Sequence, residues 1–300
     1  MAESQLLVIG FSGDHTTQHV LRHLVGHEHD FLELFEFYET GTVDLELGSD
    51  RLVVRGNGNS WNLADYRCIY QRLLPPGQSD KFASASRIHQ ARFRALDLAI
   101  ASSPARVVNA LYAGWENNFK PLQTYLLAEA GFRVPASMST SIVQDYEAFT
   151  QPRSAIYKSN SGERSIVEVV SASTERAGSL HECPVFFQEL IPGLDVRVHS
   201  VGERSFGVAI ESDVTDYRYA QRHGSAARFR PYPDIPDEVS RLCVEYAKSR
   251  GVYIAGFDFK LTPDGGWYCL EMNPSPGFDV YDRILGGEIG TALVHSLLRP

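Results

Sequence analysis

Between Val252 and Gly277 the chain reads VYIAGFDFKLTPDGGWYCLEMNPSPG, two apolar runs separated by Pro263-Asp264-Gly265-Gly266. A turn of that composition between strand-type runs predicts an antiparallel hairpin. Its polar residues are unusual. Asp258 lies between Phe257 and Phe259, and Glu271 and Asn273 flank Met272. Residues two apart on a strand share a face, so Glu271 and Asn273 present a carboxylate and an amide oxygen side by side. A lone carboxylate at position 258 is costly to desolvate. Pairing the strands across the turn sets three oxygen donors on neighbouring strands. That set suits Mg2+ with phosphate and water, and a cation offsets the repulsion between two close carboxylates. The competing expectation is a hydrogen-bonded acid–amide cluster without metal. Pro274 and Pro276 end the strand in a rigid turn.

A metal that holds phosphate calls for cations on the facing wall. Lys158 ends a strand just before the loop Ser159-Asn160-Ser161-Gly162, where a lysine reaches phosphate while loop N–H groups cover it. Lys120 precedes a helix that runs to the C-cap glycine Gly131. Arg197 follows the turn Pro192-Gly193 and shares a strand face with Asp195. Each basic residue alone reads as a surface charge; their joint placement at strand ends argues for a site.

The rest of the chain sets the frame. Residues 1–106 alternate strand and helix patterns, from the strand Gln5–Gly10 and a helix over about His15–Val25 capped by Asp14 to the strand ARVVNAL. They predict an α/β lobe with a mostly parallel sheet. The loop GFSGD lacks the spacing of a nucleotide-binding turn. His15, His19, His23 and His27 stripe one helix face; no carboxylate or thiolate partner for a zinc site is identifiable, so a solvated face is expected. Three hundred residues imply two or three lobes. The divisions expected are an N-terminal α/β domain over 1–106, a central lid with its leading helix over 107–190, and a C-terminal part carrying the metal site over 191–300. A net charge of −9 gives no basic footprint for nucleic acid, and no apolar run reaches membrane-spanning length. The four cysteines, Cys68, Cys183, Cys243 and Cys269, are scattered and read as reduced thiols of a cytoplasmic protein with no signal peptide.

In their order, these features resemble the ATP-grasp ligases: a lysine before the first helix, a strand lysine with a glycine loop, a hinge QELIPGLD, and a D…E-x-N set on two C-terminal strands. The hinge and LEMNPSPG are most similar to the RimK-like group, which joins amino acids through amide bonds. The resemblance covers about Val107 to Gly277. It implies α/β and α+β lobes in three subdomains, with ATP between two antiparallel sheets and Mg2+, or Mn2+ in its place, as metal. It implies that Lys120 and Lys158 contact ATP phosphates, that Gln188, Glu189 and Ile191 line the adenine pocket, and that Asp195 meets the ribose. Arg197 would contact phosphate, and Asp258, Glu271 and Asn273 would hold the metal. CIYQRLLPP and Asp216-Tyr217-Arg218 resemble the graspetide branch, whose members form macrolactams or macrolactones in ribosomal peptides; Gln71 and the short loop SNSGERS depart from the family pattern. Arg218 would then lie near the activated carboxylate. The implied reaction turns a carboxylate into an acylphosphate at the expense of ATP, and an amine displaces phosphate to give an amide and ADP. An amino acid or a peptide as substrate, a homodimer, and a nucleotide-binding regulator without catalysis all stay open from sequence.

Overall fold

The computed structural model describes residues 5–34, 44–48, 52–56, 59–73, 87–160, 168–170, 183–212 and 227–299. Its contacts divide the chain into two compact units, Met1–Ala113 with Gly251–Ile254 and Gly277–Pro300, and Gly114–Arg250 with Ala255–Pro276.

In the first unit, β1 (Leu6–Gly10), β2 (Asp30–Glu33), β6 (Cys68–Gln71) and β7 (Arg106–Val108) form a sheet in the order β2-β1-β6-β7, every pair parallel. Parallel strands need crossovers. The first is α1 (His15–His23), which starts where Asp14 accepts the Thr17 backbone N–H at 2.7 Å. The last crossover carries α2 (Arg87–Ser102). A hairpin-rich insertion of β3 (Asp44–Leu47), β4 (Leu52–Gly56) and β5 (Asn59–Asn62) forms a separate three-stranded sheet. Its Val54, Leu45, Leu52 and Trp61 pack on the same core as Leu7, Ile9, Ile69, Leu96 and Ile100. Two C-terminal helices, α6 (Asp279–Ile284) and α7 (Glu288–Leu297), belong to this unit.

The histidine stripe departs from the solvated face expected of it. His15 and His27 are exposed, but His19 is buried and His23 half-buried. Both rings turn to the fully buried Asp282 of α6, whose Oδ2 lies 2.7 Å from His19 Nε2 and 3.0 Å from His23 Nε2. A carboxylate from the far end of the chain gives these two polar rings the partner that burial demands.

The second unit begins with α3 (Lys120–Glu129), and Phe132 then joins the unit's aromatic core. A four-stranded sheet in the order β10-β9-β11-β8 follows, built from β8 (Ser137–Thr140), β9 (Ala155–Lys158), β10 (Glu168–Val169) and β11 (Val185–Glu189). The helix α4 (Val143–Thr150) covers it, with Tyr146 and Phe149 packed around Ala155 and Phe187. The larger sheet runs β14-β13-β12-β15-β16 and comprises β12 (Leu194–Val201), β13 (Arg204–Glu211), β14 (Arg228–Pro231), β15 (Ile254–Leu261) and β16 (Trp267–Asn273). The helix α5 (Asp237–Ser249) seats Cys243, Tyr246 and Ala247 in the core, where Phe132, Tyr246, Phe257, Phe259 and Trp267 form a chain of ring contacts. Neither α4 nor β14 is foreseen from sequence. No helix among the described residues is long and apolar enough to cross a membrane.

Candidate active site

The hairpin forms as its sequence predicts: β15 and β16 pair antiparallel, with Asp258 opposite Glu271 and Gly256 opposite Asn273. The register shifts between Asp258 and Phe259, because Phe259 faces Cys269 and Leu270 is the extra residue of a β-bulge. By simple alternation Cys269 and Glu271 would share a face. The bulge breaks that parity. Cys269 stays 1% exposed in the core, and Glu271 turns to the half-buried face that Asp258 and Asn273 occupy. Phe257 and Met272 fill the other side at 0% exposure.

The face is strongly charged. Arg197, 6% exposed on β12, donates from Nη1 to Asp258 Oδ1 at 2.7 Å. Its guanidinium lies across the backbone of residue 256, where any Cβ would overlap Nη2 and Cζ, so the guanidinium keeps this position only over a glycine. Lys260, two residues beyond Asp258, meets Asp195 Oδ1 at 2.8 Å. Burial pushes the Cys269 thiol well up, and Cys243, Asp258 and Glu271 push it further. The thiol therefore stays protonated beside the carboxylates and offers no nucleophile. Asn273 Oδ1 accepts the Ser275 backbone N–H at 2.9 Å, so the turn into Pro274 and Pro276 fixes its side chain.

On the four-stranded sheet, β9 and β11 bring Lys158 and Gln188 together: Lys158 Nζ donates to Gln188 Oε1 at 2.9 Å. A lysine can only donate, so the atom it meets is the oxygen, and Gln188 Nε2 is the amide nitrogen. That nitrogen is buried and has no hydrogen-bond partner among the described residues. An orphaned buried donor costs about 1–3 kcal/mol, a cost relieved by a ligand acceptor. Glu189 is anchored through its backbone N–H to Ala136 O at 2.8 Å, and Ile191 is buried beside it in sequence. The Lys120 backbone N–H donates to Asn160 O at 2.9 Å, which ties the start of α3 to the loop that follows Lys158. Arg218, the rest of Asp216-Tyr217-Arg218 and the glycine-loop residues 161–167 lie outside the described residues.

Three further residues, Gln123, Glu116 and Lys260, join those expected from sequence. Gln123, 2% exposed on α3, donates from Nε2 to Met272 O at 2.8 Å and accepts the Met272 N–H on Oε1 at 3.2 Å. It grips the strand between Glu271 and Asn273. Glu116, 1% exposed, accepts the Tyr246 hydroxyl at 3.2 Å and faces Arg250. Lys260 was legible from the period of two that begins at Asp258; Gln123 and Glu116 carry no local signal that marks them.

The donor set fits a magnesium-bound nucleotide. Two carboxylates face each other across a ladder with an arginine on one of them, an amide oxygen stands beside them, and a buried amide donor lies on the sheet of β9 and β11. Two antiparallel layers carrying these groups define the ATP-grasp fold. The chain is similar over nearly its whole length to solved ATP-grasp ligases. It matches the ATP-grasp ligase PsnB complexed with a minimal precursor at 26% identity and TM-score 0.79, covering 99% of each chain. The PsnB complex with a phosphomimetic variant of the minimal precursor, Mg and ADP gives 26% identity and TM-score 0.82, over 99% of this chain and 98% of that one. D-alanyl-alanine synthetase A of Vibrio cholerae shares the fold at 13% identity and TM-score 0.67, over 99% and 98%. No protein-family model matches the chain, and no curated protein matches it in sequence. The expected fold class is thus borne out, and so is the recognition as an ATP-grasp ligase with features of the ribosomal-peptide-modifying branch.

Proposed function

We propose that the chain activates a carboxylate of a peptide substrate with ATP and joins it to an amine or hydroxyl of the same peptide. The observation that carries this reading is the charged face of β12, β15 and β16, where Arg197, Asp258, Glu271 and Asn273 converge. It is supported by whole-length likeness to a ligase whose solved complexes contain precursor peptide, Mg and ADP.

In this reading Asp258, Glu271 and Asn273 hold Mg2+, with Mn2+ an acceptable substitute. The metal, when bound, neutralises phosphate charge and orients the triphosphate. The residues of the chain do the remainder. Lys158 and Lys120 take phosphate oxygens, and Gln188 Nε2 supplies the buried donor to the base, beside Glu189 and Ile191. Asp195, held by Lys260, accepts ribose hydroxyls. Arg197 stabilises the transferring phosphoryl group. The peptide carboxylate oxygen attacks the γ-phosphorus, the bond to the β-γ bridging oxygen breaks, and ADP leaves. The acylphosphate carbonyl is then attacked by the amine or hydroxyl; the attacking group loses a proton, and phosphate departs. Arg218 is assigned to the acyl group during that second step. No covalent enzyme intermediate is needed. The three-part division at 107 and 191, cytoplasmic location and action as a homodimer belong to the same proposal.

Incubation with ATP, Mg2+ and peptides rich in acidic, lysine and threonine residues tests it by mass spectrometry. A product lighter by one water, formed with one ADP and one phosphate, is expected. ATP binding without ADP release for any acceptor would instead mark a nucleotide-binding regulator.

A further inference from the structure

We infer that His19, His23 and Asp282 form a binding site for a zinc-class divalent metal, separate from the magnesium-type donor set of the second unit. His19 and His23 stand four apart on α1 and so share one helix face. Asp282 on α6 brings its Oδ2 to 2.7 Å and 3.0 Å from their Nε2 atoms. Two imidazoles and a carboxylate are a donor set suited to Zn2+, with a fourth position left to water.

The surroundings prepare these atoms. Asp282 Oδ1 accepts the Ile289 N–H at 2.7 Å and so serves the start of α7, which leaves Oδ2 for the imidazoles. Phe278 packs edge-on against His19 at 5.8 Å between ring centres, and the His19 and His23 rings meet edge-on at 4.9 Å. Residue 290 is glycine, and any Cβ there would overlap His23 Nε2 and Asp282 Oδ2. The space beside two of the three donor atoms exists because that side chain is missing. His23 is half-buried, which gives a path for exchange with solvent.

Loading has definite structural consequences. Ligands about 2.0–2.1 Å from a tetrahedral Zn2+ stand roughly 3.3 Å apart, so both Nε2–Oδ2 pairs must widen from their hydrogen-bond distances. The Arg22 Nη2 lies 3.3 Å from His19 Nδ1, which places the His19 proton on Nε2, shared with Asp282. Metal at Nε2 moves that proton to Nδ1, and the exposed Arg22 swings into solvent.

The test uses the full chain, stripped with chelator and titrated with Zn2+ by calorimetry and thermal unfolding, without nucleotide. His23→Gln keeps an amide donor for Asp282 and preserves the fold; Gly290→Ala fills the space without removing a ligand; Glu271→Gln removes a carboxylate charge at the other site. One zinc should bind to wild type and to Glu271→Gln, and raise their unfolding temperature. Loss of a ligand should weaken binding by more than the roughly 10–100-fold typical of an outer-shell change, so His23→Gln should show no zinc-dependent rise. Gly290→Ala should also lose the zinc-dependent rise. Equal zinc binding by wild type and His23→Gln, or no stabilisation of wild type, overturns the site. Neither result bears on ATP turnover, so the two readings fail separately.

Discussion

Gln123 never touches substrate in this account, yet replacing it should cripple the site. β16 is the edge strand of its sheet, so its outward N–H and C=O groups need partners from elsewhere. Cys269 N–H finds Arg133 O at 2.8 Å, and both backbone groups of Met272 find the Gln123 amide. Met272 is 0% exposed and Gln123 2%, so Gln123→Leu strands a buried donor and a buried acceptor. Each costs about 1–3 kcal/mol; an edge strand can relax, which sets the expected loss at about 2–4 kcal/mol. The strand released is the one that carries Glu271 and Asn273. As with other supporting partners of metal ligands, a 10–100-fold weaker metal dependence is expected. Gln123→Glu keeps an acceptor for the Met272 N–H but has no donor for its carbonyl, and should fall between wild type and Gln123→Leu. Urea unfolding and the Mg2+ dependence of ADP release measure the two effects. A Gln123→Leu enzyme with wild-type stability and wild-type Mg2+ half-saturation would refute the reasoning.

Gly256→Ala should abolish turnover while leaving the protein folded, because the new methyl displaces the Arg197 guanidinium from Asp258; near-normal ADP release would remove Arg197 from its assigned role. Burial pushes the Tyr70 hydroxyl up to about 12 from an ordinary value of 10. The folded state thus holds its proton more tightly than the unfolded one, so stability is full below pH 10 and falls by about 2–3 kcal/mol as pH rises to 12. Tyr70→Phe should flatten that fall in alkaline unfolding curves, and an equal slope in both proteins would contradict it. Burial also raises the thiols of Cys68, Cys243 and Cys269, whereas Cys183 is exposed. Brief alkylation of native protein should label Cys183 alone, as read by peptide mass mapping.

The hairpin was legible because its turn residues and its period of two agree, and Asp258, Glu271 and Asn273 do share a half-buried face. The bulge at Leu270 was not legible. Nothing local distinguishes an extra strand residue from a regular one, and the parity it alters shows only in the pairing. The lysines were found through their place at element ends, but the Lys158–Gln188 contact depends on the register of β9 against β11. The histidine stripe looks solvated in the sequence for the same reason: the carboxylate that pairs with His19 lies 263 residues away. Periodicity reports which residues share a face; it does not report what a distant segment brings to that face.

The most direct test of the central claim follows oxygen. A peptide substrate labelled with heavy oxygen in its side-chain carboxylates is turned over with ATP and Mg2+, and the released phosphate is analysed by mass spectrometry. Activation through an acylphosphate transfers one labelled oxygen from each reacting carboxylate to phosphate, with Glu271→Ala giving neither label transfer nor ADP. Unlabelled phosphate released alongside the ligated product would contradict the account.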